Sequence, residues 1–335
     1  MLHDFSFIFN WWLAIFSLSL LSLPITFHIF SKFWDKGYIF AKTLSLILIT
    51  YVLLVSGIIK LIPFNHTGLS IVIGIFLIFD ILFLIHRHRY RDFFKTLKQK
   101  YFIFLFEEAT FFLILAVWSY IRGFTPEIEG LEKYMDWGFV NTALRSQFWP
   151  PVDMWFSGEV INYYYFGHLI FALITKISGV VSSVGYNLSI ATVCSLTFAS
   201  AFSLVSNIVH LSLLKNNLKK IITAGIISAL LLTFGGNLHS VFKIAKLNYT
   251  QNDQHFVLTN KAVKKSISDY WYPDATRFIG HDPETQDKTI HEFPIYSFVV
   301  SDLHGHMNDI IVVLLFLAFL FVSFYQKNNC LLYTS

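Results

Sequence analysis

Residues 7–30 read FIFNWWLAIFSLSLLSLPITFHIF and contain no Asp, Glu, Lys or Arg. In water such a run would have to be buried on every side. In a bilayer it is what a spanning helix requires, about 20 apolar residues, because hydrocarbon offers no partner to a bare backbone polar group. Further apolar runs cover 38–61, 69–85, 101–121, 186–214, 221–234 and 310–325, with a shorter one at 163–178. Pro24 is expected to kink the first. Only His3 and Asp4 precede that run as polar groups, with no basic n-region and no small-residue cleavage site, so it does not read as a cleavable signal. Composition agrees: 55% of residues are hydrophobic and 14% charged, against about 25% charged in soluble domains. A water-soluble enzyme and a disordered chain are excluded. The excess of 25 Lys+Arg over 21 Asp+Glu is too small and dispersed for a nucleic-acid partner. Two cysteines exclude a disulfide framework. The fold class is an all-α, polytopic transmembrane protein in the cell membrane.

Charge sets the expected sidedness. Lys and Arg near span ends favour the cytoplasm, and residues 86–100 carry Arg87, Arg89, Arg91, Lys95, Lys98 and Lys100, with Lys32 and Lys36 two spans earlier. The connection at 63–68 has neither residue type and is expected outside, together with 122–162. The run at 163–178 is short. If it dips into the membrane rather than crossing, Lys215, Lys219 and Lys220 fall on the cytoplasmic side and the polar stretch 235–308 faces outside. The expectation is therefore seven full spans, one short and re-entrant element, and two large external loops, 122–162 and 235–308. Residues 1–100 hold the N-terminal spans and 101–329 the main membrane domain. Residues 330–335 (CLLYTS) resemble a translated sequencing-adapter end, a non-native tail on a chain cut short after a span. Cys194 then remains as a thiol inside a span.

Three polar stretches can carry chemistry. In 122–162, Glu132 and Asp136 are four apart and share one face of a helix, where carboxylates can ligate a cation or act as general base toward a hydroxyl. Arg145 follows about two and a half turns later and can fork onto a phosphate, before Pro150 and Pro151 end the helix. Asp153, Trp155 and Asn162 lie in the turn-rich stretch that follows, where an indole can stack on a sugar. Tyr163, Tyr164 and Tyr165 spread round more than half of a helix, so they are not expected all to line one pocket, whereas Tyr164 and His168 can share a face. In the third stretch Asp302, His304 and His306 recur every second residue, and in an extended segment they form a plausible divalent-metal set, for Mg or Mn, that Glu292 can help to close. The plainer reading makes the acid pair a solvated interfacial helix, the tyrosines an aromatic belt and Asp302 the N-cap of the last span. Inside the spans, Asp80, Glu107 and Glu108 need a cavity or a partner. They can serve a transporter, or they can bond near Asn237 and His239 at a helix interface.

In combination these strings resemble the YYY-type polytopic membrane proteins: EKYMD (132–136) with the later Arg145-Ser146, PPVDMWFSGEVINYYYFGH (150–168), GGNLHS (235–240) and EFPIYSFVVSDLHGH (292–306). The resemblance covers about 107–309, and departs from it where Met154 and Gly305 replace expected prolines. That family in turn looks like the C-type glycosyltransferases (GT-C). The likeness implies a GT-C-like membrane fold and transfer of a sugar from a polyprenyl-phosphate-linked donor on the outer face. It makes Asp136, with Glu132 beside it, the base. Arg145, His304 and His306 then meet the lipid phosphate or a metal. The other readings left open are a flippase or transporter and a non-catalytic scaffold.

Overall fold

A computed structural model describes residues 2–86, 89–212, 217–277 and 290–327. Residues 330–335, Lys215 and Arg87 lie outside that set. Among the described residues every regular element is helical, and the one β-type contact is an isolated bridge between Val152 and Val160. Five helices are long and apolar enough to cross a membrane, and up to seven if two broken helix pairs each count as one span. The protein is therefore an all-α, multi-pass integral membrane protein.

Two compact units are present, one formed by 1–233 with 301–335 and the other by 234–300. The first begins with α1 (Leu2–Leu20) and α2 (Leu23–Ile29), which meet at a 60° bend. The expected kink is thus a break at Leu21 and Ser22. Pro24 sits in the first turn of α2, where its missing N–H would have had no intrahelical partner in any case. Next come α3 (Phe40–Ile58) and α4 (His66–Ile85), and the Asn65 side chain caps α4 by accepting from Gly68 N–H at 2.9 Å. Then α5 runs unbroken over Arg89–Arg122. The basic stretch expected as a connection is its first turns, since it holds no Gly or Pro and is rich in helix formers. At about 1.5 Å per residue, α5 outreaches the hydrocarbon core by several turns.

After α6 (Lys133–Arg145), α7 (Phe166–Ser178) is the short apolar element expected from the sequence. Its 13 residues span roughly 20 Å, too little to cross, and it ends at Gly179 in the left-handed conformation, φ 68°. Buried at the centre of this unit lies α8 (Ser182–Ser212), packed on α5, α6, α7 and α14 (Gly305–Lys327). Its buried Ser189, Thr192, Ser195 and Thr197 each donate to the carbonyl four residues back, so hydroxyls enter the apolar core without orphaned protons. Cys194 is buried there, as expected. The unit also includes α9 (Leu218–Phe234) up to Thr233.

The second unit consists of α10 (His239–Gln251), α11 (Asn260–Ser268), α12 (Asp274–Arg277) and α13 (Pro294–Val300). Asn248 closes the α10–α11 turn by bonding both the N–H and C=O of Val257. Thr259 caps α11, and Tyr270 gathers His239 and Ser240. Much of the stretch expected as an external loop is thus helical.

Of the intramembrane acids, Glu108 has partners other than those considered above, while Asp80 Oδ1 and both Glu107 carboxyl oxygens are buried with no hydrogen-bond donor among the described residues. Glu108 accepts from Trp12, Tyr38 and Lys42, with Lys42 Nζ 2.7 Å from Oε2, while Glu107 lies beside Asp35. Asn237 and His239 bond Ala275 and Tyr270 inside their own unit.

Candidate functional site

At the end of the first unit where α5 terminates, α6, α7 and the turn before α14 converge. Glu132 is the residue before α6 and Asp136 lies in its first turn. The two carboxylates lean to one side, as their spacing predicts, but reach different partners. Asp136 is fully buried, with Oδ1 2.8 Å from His168 Nε2 on α7, and His168 is fully buried as well. The Asp136 carboxyl also hydrogen bonds to that of Asp302. Asp136 Oδ2 and Asp302 Oδ1 are both buried and have no N–H or O–H donor among the described residues. Two carboxyl groups can bond each other only if one carries a proton. Burial first, then the charge of Asp136 and the shared bond, push the Asp302 carboxyl up to about 7, although it also accepts from the Glu132 N–H. Asp302 thus serves the start of α6, where a helix N-terminus favours an acid, rather than capping α14.

A more open layer lies beside this buried group. Glu132 Oε2 is 2.6 Å from His304 Nε2, with the glutamate side chain half exposed and the histidine one-fifth exposed. The Tyr164 hydroxyl also meets His304 Nε2, Tyr163 OH stands 3.3 Å from it, and His304 Nδ1 is 3.2 Å from His306 Nδ1. Desolvation, followed by the bond to Tyr163, raises the Tyr164 phenol above its usual range. The helical spread assumed for the three tyrosines does not occur here. The chain is irregular up to Tyr165 and the helix starts at Phe166, so Tyr163 and Tyr164 stack with centroids 3.8 Å apart and aim both hydroxyls one way. For the same reason Tyr164 goes to His304 while His168 goes to Asp136.

Tyr186 on α8, which the sequence marks only as the start of a span, fixes the turn that delivers Asp302 and His304. Its hydroxyl accepts from Leu303 N–H and donates to Ser301 C=O, both at 3.2 Å. Ser301 has φ 56°, a left-handed value that a non-glycine residue holds only when its surroundings impose it. Sequence spacing carries no signal for a partner 115 residues away.

Several expected site residues are elsewhere. Arg145 ends α6, exposed, with Nε on the Asn141 carbonyl of its own helix. Asp153 accepts from the N–H groups of Phe156 and Trp155, which hold its carboxyl below the usual range, and Trp155 is 68% exposed. Asn162 is exposed. Glu292 belongs to the second unit, where it accepts from Ser297 Oγ at 3.2 Å. Asp302, His304 and His306 do not share a centre, since Asp302 faces Asp136 and the two imidazoles face each other through Nδ1. Among the described residues no group of three or more His, Cys, Asp or Glu is arranged to hold a metal ion, so this arrangement does not fit the expected Mg or Mn set and no chemistry is routed through one here.

Fold and site together define a multi-pass membrane protein with a buried acid–imidazole cluster at one end of its helices. The chain belongs to the uncharacterized membrane protein family DUF2298, which matches residues 48–331. No curated protein and no solved structure matches it.

Proposed function

We propose that the protein is a GT-C-like membrane glycosyltransferase, taking sugar from a polyprenyl-phosphate-linked donor on the extracytoplasmic face. One observation carries the reading: two motifs more than 160 residues apart in the chain, EKYMD and SDLHGH, meet as one titratable cluster above the apolar helices. A lipid-linked donor holds its phosphate at headgroup level and its tail among helices, so proton-transfer groups at a helix end suit it.

The base assigned to Asp136 from the sequence moves to Glu132. Asp136 is walled in by His168 and Asp302, whereas Glu132 and His304 are open to solvent. In the proposed step the acceptor hydroxyl oxygen bonds the sugar anomeric carbon as the carbon–oxygen bond to phosphate breaks. The leaving phosphate takes that electron pair, and Glu132 takes the hydroxyl proton. His304, beside Glu132, is placed to pass the proton on or to face the phosphate. Asp136, His168 and Asp302 brace both motifs from below, as positioning residues.

In lipid nanodiscs, the protein should release polyprenyl phosphate from a polyprenyl-phosphate-linked hexose in the presence of a hydroxyl acceptor. Glu132→Gln should slow release by about 10²–10⁴-fold without loss of thermal stability. Release at the full rate by Glu132→Gln and by His304→Ala would remove the proposal. A transporter reading would draw on Asp80, Glu107 and Glu108, of which Glu108 is committed to Lys42, Tyr38 and Trp12.

A further inference from the structure

Arg122, the last residue of α5, is 95% buried, yet among the described residues it forms no ion pair with a carboxylate. Its guanidinium donates to neutral oxygens only: Nε and one terminal nitrogen to Asn187 Oδ1 at 3.1 and 2.8 Å, and the other terminal nitrogen to Thr125 Oγ1 at 3.3 Å. Further N–H donors of the group are left over. The carbonyl end of α5 offsets part of the charge, and Glu127 acts on it only from beyond ion-pair distance. A second cation stands close by. Burial first, then the repulsion of Arg122, lowers the pKa of Lys133, against the pull of Asp302 and Glu127. A buried charge without a counter-charge is costly, so the site calls for an anion.

The form of that anion follows from what lies beside the guanidinium. Arg122 and Asn187 line a groove of about 800 Å³ between α1, α5 and α8, whose walls include Phe5, Ile8, Ala116, Phe124, Val184 and Leu188. The one acid in the groove wall is Asp4, near the start of α1. A cation at one end and apolar walls between spanning helices fit an amphiphile. We infer that this groove binds a lipid phosphate, with the phosphate on Arg122 and the hydrocarbon tail between α1, α5 and α8. A soluble phosphate would fill the charged end and leave the apolar walls bare, so the lipid is the occupant. The inference stands on the guanidinium and the groove, and it would give the lipid of the proposed transfer a berth near Glu132.

The test is native mass spectrometry of the full chain in detergent. The probes are farnesyl phosphate and dioctanoyl phosphatidic acid, with farnesol and dioctanoylglycerol as uncharged counterparts and inorganic phosphate as competitor. The phosphate lipids should bind at least about tenfold more tightly than their counterparts, and Arg122→Gln should erase roughly ten- to hundredfold of that affinity. Millimolar inorganic phosphate should not displace them. If Arg122→Gln does not fold, Ala116→Phe fills the groove and keeps the cation, and it should weaken phosphate and uncharged lipids together. Unchanged binding in Arg122→Gln or in Ala116→Phe overturns the inference, as does displacement by inorganic phosphate, which would assign the site to a free anion. Glu132→Gln separates this from the transfer proposal, because it should lose release while keeping lipid affinity.

Discussion

At the scale of residues, the site is ordered by which carboxyl holds a proton. The Asp302 acid, raised to about 7 by burial and by Asp136, is protonated in the folded protein over a range where the unfolded chain, near its ordinary 3.8, is ionised. Between about pH 4 and 7 the folded state therefore binds the extra proton, and stability must fall as pH rises through that window. Thermal unfolding of the detergent-solubilised protein from pH 5 to 8 should show that decline. Asp302→Asn keeps a donor for Asp136 and has no proton to lose, so its melting temperature should vary less, by a few °C across the window. An equal slope in the variant would mean that Asp302 is not the titrating group. Local spacing could show that Glu132 and Asp136 face one way. It could not show that Asp136 would be sealed beneath His168 and Asp302, because burial is decided by a turn that Tyr186 holds from another helix.

At the scale of elements, apolar length was legible and close approach was not. The runs without charge mark the spans because a helix in hydrocarbon has few alternatives. The points where helices or loops touch are set by single small residues whose role appears only in three dimensions. Gly57, near the end of α3, is one: a Cβ there would lie 2.5 Å from the carbonyl oxygen of Trp149 and 2.7 Å from its nitrogen. Trp149 cannot give way easily, since its ring is buried against Phe64 with centroids 4.1 Å apart and its indole N–H bonds Ala143 C=O. Gly57→Ala should destabilise the protein by about 1–3 kcal/mol, read as a lower melting temperature. In α4, a Cβ at Gly74 meets nothing within 4 Å, and Gly74→Ala should be neutral or stabilising by up to about 1 kcal/mol. Equal effects at the two positions would contradict this packing.

At the scale of the whole first unit, one end is tied by polar groups inside the membrane and the other presents the site. Lys42 of α3 and Glu108 of α5 form a buried ion pair that also holds Trp12 of α1, and Phe111 stands 4.9 Å beneath the ammonium. Lys42→Met would leave Glu108 without its cation and should cost about 3–5 kcal/mol, most of it recovered by Lys42→Met with Glu108→Leu. A double variant as unstable as the single would show that the pair is not what matters. The sidedness follows from the opposite end. Phe64 N–H donates to Gln147 C=O at 2.7 Å, and Lys176 donates to the carbonyls of Phe64 and Leu144. These bonds place the α3–α4 connection at the end of the helices that bears α6, while the basic residues from Arg89 to Lys100 occupy the start of α5, the other end. Since lysines and arginines favour the cytoplasm, the site should face outward. Cysteines introduced at Lys60 and Glu129 should then react with an impermeant maleimide on intact cells, and one at Lys98 only after permeabilisation. Labelling of Lys60→Cys and Glu129→Cys from opposite sides would break the fold described here. Labelling of both only from within would keep the fold and turn the site to the cytoplasm, where an extracytoplasmic transfer could not occur.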